Sequence, residues 1–342
     1  MKILLIGPCP PPHGGISVHI MRIEHDLKAA GIPCEVVNTA GVRSWIGFWT
    51  ALVRYALRGW TFHFHTNGHN RKSWLLALAC GMVGNLAGGA CILTLHSGIA
   101  PVWLAAAGAL RCALVRFTCL HYTRIIGVNA PIRDALVSLE IPAERIDVMP
   151  AFLGIERSQA ALDPAVLSWM RARRPLLSTA LFFRPEYGFE VLVEAIGRLR
   201  ESRTSIGCIV MGGSDDRTAA ERLLRERGLE QNVLLLGDID HEACLAVMAA
   251  SDVFVRATLE DGDSISVREA LSLGTPVVAS RVGTRPVGAM LFEPGDATEL
   301  AARIELALAG GNEGRPAAGA SNIDRLLHIY EEAISGMDYA AA

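Results

Sequence analysis

Two carboxylates eight residues apart, Asp261 and Glu269, bracket the run Gly262-Asp263-Ser264-Ile265-Ser266-Val267-Arg268. The glycine permits a tight turn, and the residues after it read as a helix start. Free N–H groups and the positive end of the helix are therefore offered to an anion there. A diphosphate suits such donors. Glu269, in the first turns of the helix, can accept hydrogen bonds from sugar or ribose hydroxyls. The plainer alternative is a helix N-terminus decorated with acids, a common arrangement. A second candidate is Gly7-Pro8-Cys9-Pro10-Pro11-Pro12-His13-Gly14-Gly15-Ile16. Its glycines let the backbone approach a ligand closely ahead of another helix. The spacing is not GxGxxG, so a nicotinamide site is disfavoured, and a proline-stiffened turn is the competing explanation. For His13 the turn role is preferred to a phosphate contact.

His63, His65, His69 and His96 raise the question of a metal. Their spacing suits a strand and a loop better than one coordination sphere, and no acidic ligand lies near them in sequence, so no metal is expected. The eight cysteines form no CxxC pair; several, such as Cys80, Cys91, Cys112 and Cys208, sit in apolar runs. Buried reduced thiols of a cytosolic protein are expected, with neither a disulfide framework nor a zinc site. Met1-Lys2 runs straight into the core-like Ile3-Leu4-Leu5-Ile6, so no signal peptide is expected.

The 342 residues allow two domains, and 51% hydrophobic against 20% charged residues excludes a disordered or fibrous chain. With 32 Lys+Arg and 35 Asp+Glu the net charge is −3, which argues against a nucleic-acid binder. The sum hides an asymmetry: residues 1–150 carry 13 basic and 7 acidic side chains, residues 151–342 carry 19 and 28. From Val36 to Arg133 there is no Asp or Glu but nine Lys/Arg, so a surface drawn from that stretch should attract anions.

The elements that must position these residues alternate. Strands are expected at Lys2–Ile6, Cys34–Asn38, Thr61–His65, Ala90–Leu95, Arg124–Val128 and Ile146–Met149, with helices at Ser17–Ala30, Trp45–Trp60, Arg71–Leu86, Leu104–Thr118 and Pro131–Leu139. The uncharged stretch Trp74–Leu95 is read as helix, Gly-Gly stop and buried strand rather than a membrane span. After an irregular stretch, Leu153–Arg174, a second series follows. Its strands are Leu176–Phe183, Ile206–Met211 (ending in Gly212-Gly213), Val233–Leu236, Val253–Arg256, Pro276–Ala279 and Ala289–Phe292. Its helices are Phe189–Ser202, Asp216–Gly228, His241–Ala250, Ser266–Leu273 and Ala297–Leu308. A Gly/Pro-rich break, Gly310–Gly319, precedes a last helix, Asn322–Ser335. The pattern predicts an α/β protein of two doubly wound parallel-sheet domains, 1–160 and 161–318, with the helix at 321–336 returning to the first. Ligands are expected at the carboxyl ends of the strands, in a cleft where the domains face each other.

The block Asp261–Ala279 resembles the signature of the retaining GT-B glycosyltransferases of the family 4 type: a carboxylate, seven residues, Glu-Ala, then a Gly-x-Pro-Val-Val-Ala strand. Here Asp261 stands where Glu is common. Thr94-Leu95-His96-Ser97 is similar to the family's Thr-x-His-Asp strand end, and Pro185-Glu186-Tyr187-Gly188 to its Pro-Glu-Lys-Gly turn. Leu236-Gly237, Ala250–Val255 and Gly14-Gly15 match further pieces in family order, over nearly the whole chain. The resemblance implies a nucleotide-sugar donor held by the C-terminal domain and an acceptor held by the N-terminal domain, without a metal. Carried across, Glu269 binds the donor ribose, Asp261 the donor sugar, and Gly262, Asp263, Ser264 and Ile265 line sugar and diphosphate. Ile239, just past Gly237, sits near the base, with Gly212 also on the donor side. Gly14 and Gly15 approach the diphosphate, and His96 faces the reacting sugar. The family's Arg and Lys that stabilise the leaving diphosphate are missing: Tyr187 takes the Lys place, and Phe182 or Leu181 the Arg place. Losing both costs several kcal/mol of transition-state stabilisation unless other cations replace them. Arg184 and Arg256 are expected as replacements, whereas Arg281 and Arg285 are expected to pair with surface carboxylates.

The function implied is a cytoplasmic retaining glycosyltransferase acting on a lipid-linked or polysaccharide-precursor acceptor in envelope glycan synthesis, with a uridine diphosphate donor the commoner choice. A GT-B nucleotide-sugar epimerase and a non-catalytic sugar-nucleotide-binding homologue are the rivals. Trp45, Phe48, Trp49, Leu52, Ala56 and Trp60 share one side of a helix with Arg43, Arg54 and Arg58 opposite. That stripe is most simply core, but Trp with Arg also suits a membrane interface. A peripheral contact with the anionic inner face of the cell membrane is therefore expected of the N-terminal domain.

Overall fold

The computed structural model describes residues 1–11, 14–42, 44–152, 154, 160–212, 217–310 and 322–340. The chain divides into two compact units. The first carries β1 (Ile3–Gly7), α1 (Gly15–Ala29), β2 (Cys34–Asn38), α2 (Trp45–Ala56), β3 (Thr61–Thr66), α3 (Arg71–Asn85) and β4 (Cys91–Leu95). It continues with α4 (Ala100–Ala105), α5 (Ala109–Leu120), β5 (Arg124–Gly127), α6 (Ala130–Ser138) and β6 (Ile146–Val148). The second carries α7 (Pro164–Ala172), β7 (Leu176–Ala180), α8 (Phe189–Ser202), β8 (Gly207–Met211), α9 (Arg217–Glu226), β9 (Val233–Gly237) and α10 (His241–Ala250). It is completed by β10 (Val253–Arg256), α11 (Ile265–Ser272), β11 (Val277–Ser280), β12 (Ala289–Phe292) and α12 (Ala297–Leu308). The last helix, α13 (Ile323–Ala340), belongs to the first unit.

Each unit holds one six-stranded parallel sheet, ordered β2-β1-β3-β4-β5-β6 in the first and β12-β11-β10-β7-β8-β9 in the second. β1, β3, β4 and β8 are buried at every residue, as central parallel strands covered on both faces must be. Alternation along the strands then assigns the faces. In the first unit Ile3 and Leu5 pack with Ile20 and Ile23 of α1 and with Leu326, Ile329 and Tyr330 of α13. On the other face, Phe62 lies against Gly84 of α3, where a Cβ would also press on Cys91. In the second unit Leu177 and Val255 meet α8 and α12, while Leu176 and Phe254 meet α10 and α11.

Several elements differ from the sequence reading: the strand expected at Leu176–Phe183 ends at Ala180, and the last helix, expected at Asn322–Ser335, runs to Ala340. Within the stretch read as irregular, Pro164–Ala172 is a helix, its first turn capped by Asp163 Oδ1 accepting from the Ala165 N–H at 2.7 Å. The single helix expected at Leu104–Thr118 is two, broken before Gly108, which caps α5. The expected Trp45–Trp60 helix stops at Ala56, and Gly59 follows at a φ of +68°. The positions of His13, Arg43 and Gly213, and residues 311–319 of the Gly310–Gly319 break, lie outside the described residues.

Sheet order also explains where the loops of interest leave. In the second sheet the chain runs outward from β7 to β8 and β9, then returns to place β10 on the other side of β7. The β7–β10 pair is the point where strand order reverses, so the two loops leaving its carboxyl ends diverge and frame a crevice. Those loops are 181–188 and 257–264. In the first sheet the corresponding pair is β1 and β3, whose following loops carry Gly14-Gly15 and His69.

Candidate active site

The loops after β7 and β10 are tied to one another. The Leu259 N–H donates to the Glu186 carbonyl at 2.8 Å, and Arg256 Nη1 donates to the Ala180 carbonyl at 2.7 Å. Gly188, at a φ of +67°, is required here: a Cβ would run into the Ala257 carbonyl oxygen. The turn itself is pinned from β11. The Thr284 N–H donates to the Gly262 carbonyl at 2.7 Å, and Gly283, φ +60°, passes so close to the carbonyls of Asp261 and Gly262 that no side chain fits.

Asp261 is the hub of this corner. Its Oδ2 accepts from Arg256 Nε at 3.0 Å, from Arg285 Nη1 at 3.0 Å and from Thr258 Oγ1 at 3.3 Å, while Oδ1 accepts from the Gly262 N–H at 3.0 Å. Burial pushes its pKa up, but the two guanidiniums outweigh burial and bring it down to about 2. The Arg285 side chain is only 4% exposed and also reaches the Ser280 carbonyl and Thr258 Oγ1, both at 3.0 Å. The expectation of a surface pairing for Arg285 is thus corrected: it is drawn inward because Asp261 is buried and needs more than one cation. Arg281 does pair on the surface, with Glu293 at 2.8 Å. Arg256 lies with its guanidinium 5.2 Å over the ring of Tyr187, so a cation stands beside the residue that fills the family's Lys place. Arg184 is exposed, with its guanidinium 5.3 Å over the Phe182 ring.

The helix start beyond the turn is built as its residue types dictate. Ser264 caps α11, its Oγ accepting from the Val267 N–H at 3.4 Å and meeting Ser266 Oγ at 3.1 Å. Asp263 points inward with its side chain 1% exposed, Oδ1 on Arg268 Nε at 2.8 Å and Oδ2 buried without a partner. Burial raises its pKa, against the pull of Arg268. Glu269 is buried, and its Oε1 meets His241 Nε2 at 2.6 Å at the start of α10. Ile239 packs beside Val267 and Ala270 in the same layer. Gly212, φ +86°, gives its N–H to the Gly237 carbonyl at 2.7 Å, and a Cβ there would strike the Leu181 carbonyl. The structure therefore joins Arg256, Asp261 and Gly262 in one network, sets Glu269 on His241, and adds Arg285, Thr258 and His241, none of which the sequence reading assigned to the site.

In the first unit the Gly14 N–H donates to Ser17 Oγ at 2.9 Å and opens α1, while a Cβ on Gly15 would meet nothing within 4 Å. Packing thus gives no reason for glycine at 15. His63 and His65 share one face of β3, two residues apart, with ring centroids 4.0 Å apart. His63 is satisfied on both sides: Nδ1 pairs with Tyr330 Oη of α13 and Nε2 with Thr94 Oγ1, each at 2.7 Å. His65 Nδ1 meets His96 Nε2 at 3.2 Å, and His19, from α1, stacks edge-on against both rings. Of the four histidines weighed in the sequence, the fold brings His65 and His96 together with His19, because β3 and the end of β4 are neighbours and α1 crosses over them. His69 lies apart from the three, with Nδ1 on Ser97 Oγ at 2.8 Å.

Residues 173–309 match the family model of the glycosyl transferases group 1. The matched residues lie in the second unit and include the Asp261–Ala279 block. The chain is 27% identical over 226 residues to the MMP alpha-(1->4)-mannosyltransferase of Mycolicibacterium hassiacum, covering 60% of this chain and 53% of that one. It is 26% identical over 166 residues, 45% of this chain and 43% of the other, to a GDP-mannose-dependent phosphatidylinositol monomannoside mannosyltransferase of Mycolicibacterium smegmatis. The chain spans about half the length of the curated relatives it matches. Among solved structures, Anabaena HepE in complex with UDP-glucose superposes with a TM-score of 0.70 at 16% identity, over 99% of this chain and 100% of that one. Sucrose-phosphate synthase from Thermosynechococcus elongatus gives 0.68 at 20%, with full coverage of both. The fold is GT-B.

Proposed function

We propose that this protein is a retaining glycosyltransferase that moves a hexosyl group from a nucleoside diphosphate donor to a lipid-linked or polysaccharide-precursor acceptor in envelope glycan synthesis. The observation that carries the reading is the Asp261–Glu269 turn at the strand-reversal point of the second sheet. There a half-buried Arg–Asp–Arg cluster of net charge +1 lies beside the start of a helix. Glu269, held by His241, takes the donor ribose, and Ile239 and Gly212 flank the base and sugar. The backbone of Gly262 through Ile265 takes the sugar and diphosphate, with Asp261 and Asp263 setting its shape. Arg256, with Arg184, supplies the positive charge that Tyr187 and Phe182 lack, and Gly14-Gly15 and His96 of the first unit serve the diphosphate and the reacting sugar. The bond from the anomeric carbon to the diphosphate breaks, and the acceptor oxygen bonds to that carbon on the same face. The acceptor proton passes to the departing diphosphate. The protein's work is electrostatic stabilisation of that leaving group, and the step calls on no metal. The names of the relatives support both a uridine and a guanosine donor, since HepE was crystallised with UDP-glucose and the mycobacterial relative uses GDP-mannose.

The acceptor side belongs to the outer layer of the first unit. Ile46, Leu75, Met82, Leu86, Leu110 and Leu120 stand exposed on α2, α3 and α5 or at their ends, among Arg54, Arg58, Arg71 and Lys72 and without an acid. No helix among the described residues is long and apolar enough to cross a membrane. A peripheral seat on the anionic inner face of the cell membrane suits such a surface. The test is transfer from radiolabelled UDP- and GDP-sugars to extracted membrane lipids, with the product anomer read by NMR. An anomer matching the donor is expected. An inverted product, donor isomers formed without any acceptor, or tight donor binding with no transfer would each reject the proposal, the last two in favour of the rivals above.

A further inference from the structure

The first unit holds a group of side chains that the transfer chemistry does not use as a group. His19, His65 and His96 each bring one ring nitrogen to within 4.8 Å of a nitrogen of both others. We infer that these three imidazoles form a binding site for a divalent transition-metal ion of the zinc class, with the fourth position left open.

Two observations carry this. First, two nitrogens bound to one ion at about 2.0–2.1 Å in tetrahedral geometry lie roughly 3.3 Å apart. His65 Nδ1 and His96 Nε2 are 3.2 Å apart. Second, His19 is oriented as a ligating histidine is: its Nδ1 can only donate to the Ala151 carbonyl, so Nε2 carries the lone pair. An ion between His65 and His96 replaces the proton they share, and each ring then carries its proton on the outer nitrogen. His96 keeps Nδ1–H for a hydroxyl. Imidazole ligands without a carboxylate select Zn²⁺, Co²⁺, Ni²⁺ or Cu²⁺ over Mg²⁺ and Ca²⁺.

The test uses the full chain, freed of any histidine tag, dialysed against Zn²⁺ and separately against Co²⁺, with bound metal counted by mass spectrometry. One ion per chain is expected, and the Co²⁺ form is expected to show the visible d–d bands of a four-coordinate nitrogen site. His19→Ala, His65→Ala and His96→Ala should each weaken binding by about 100-fold or more, and His69→Ala should leave it unchanged. Thermal melts of the metal-free variants establish that they fold, and His65→Asn and His19→Gln replace any that do not. Absence of saturable binding, equal affinity in all the variants, or a sulfur-to-cobalt charge-transfer band would overturn the inference. No sugar nucleotide enters the assay, so the result stands apart from the transferase proposal.

Discussion

Asp261 illustrates how a residue can be recognised from sequence while its partners are not. The carboxylate eight residues before Glu269 was legible because its spacing falls in a glycine turn ahead of a helix. Arg285 was not, because it lies in a different loop and only the pairing of β10 with β11 brings it within 3.0 Å of Asp261. His241 was missed for the same reason: α10 and α11 must pack before its ring can hold Glu269. Removing one cation from a buried carboxylate leaves an uncompensated charge, so Arg285→Met should cost about 3–5 kcal/mol in urea denaturation. The pH dependence follows from Asp261. Its carboxyl titrates at about 2 when folded against an ordinary 3.8, so its stabilising contribution is complete above 3.8 and is lost as the pH falls toward 2. The stability gap between wild type and Asp261→Asn should accordingly be full at pH 5 and shrink through that window; a gap unchanged at its lower end would refute the assignment.

At the scale of elements, the alternation of apolar strands with amphipathic helices was readable because central parallel strands are uninterrupted apolar runs. The helix Pro164–Ala172 was not read, since its polar surroundings masked an Asp cap followed by Pro, both ordinary start signals. The α4–α5 break falls at Gly108, the one poor helix former in an alanine-rich stretch otherwise favourable to helix. Two glycines separate packing from function. Gly283→Ala forces a Cβ against two carbonyls at a positive φ, so it should lower the melting temperature and abolish donor binding together. Gly15→Ala meets open space and should melt like wild type while binding nucleotide-sugar more weakly. On α3 and α5, Leu75, Met82 and Leu110 stand exposed, and the proposed membrane contact would use them. Liposome flotation on acidic lipid should fall sharply for the triple Asp variant, and for wild type on neutral lipid.

For the whole molecule, the two-sheet plan and its parallel strands followed from the order of elements, and the reversal points at β1–β3 and β7–β10 follow from the strand orders. What sequence could not supply is the meeting of distant segments: α1, β3 and the end of β4 at the histidine cluster, or α13 returning to the first sheet through Tyr330. Both depend on loop closures over tens to hundreds of residues, for which local pattern carries no signal. The turn before α11 is proposed to clamp an activated sugar. Isothermal titration calorimetry of UDP-sugars and GDP-sugars into wild type and Glu269→Ala tests it most directly. Saturable one-to-one binding of one of these donors, lost at least tenfold in Glu269→Ala while that variant melts as wild type, is the predicted result. Failure of wild type to bind any of them, or equal affinity in the variant, would contradict it.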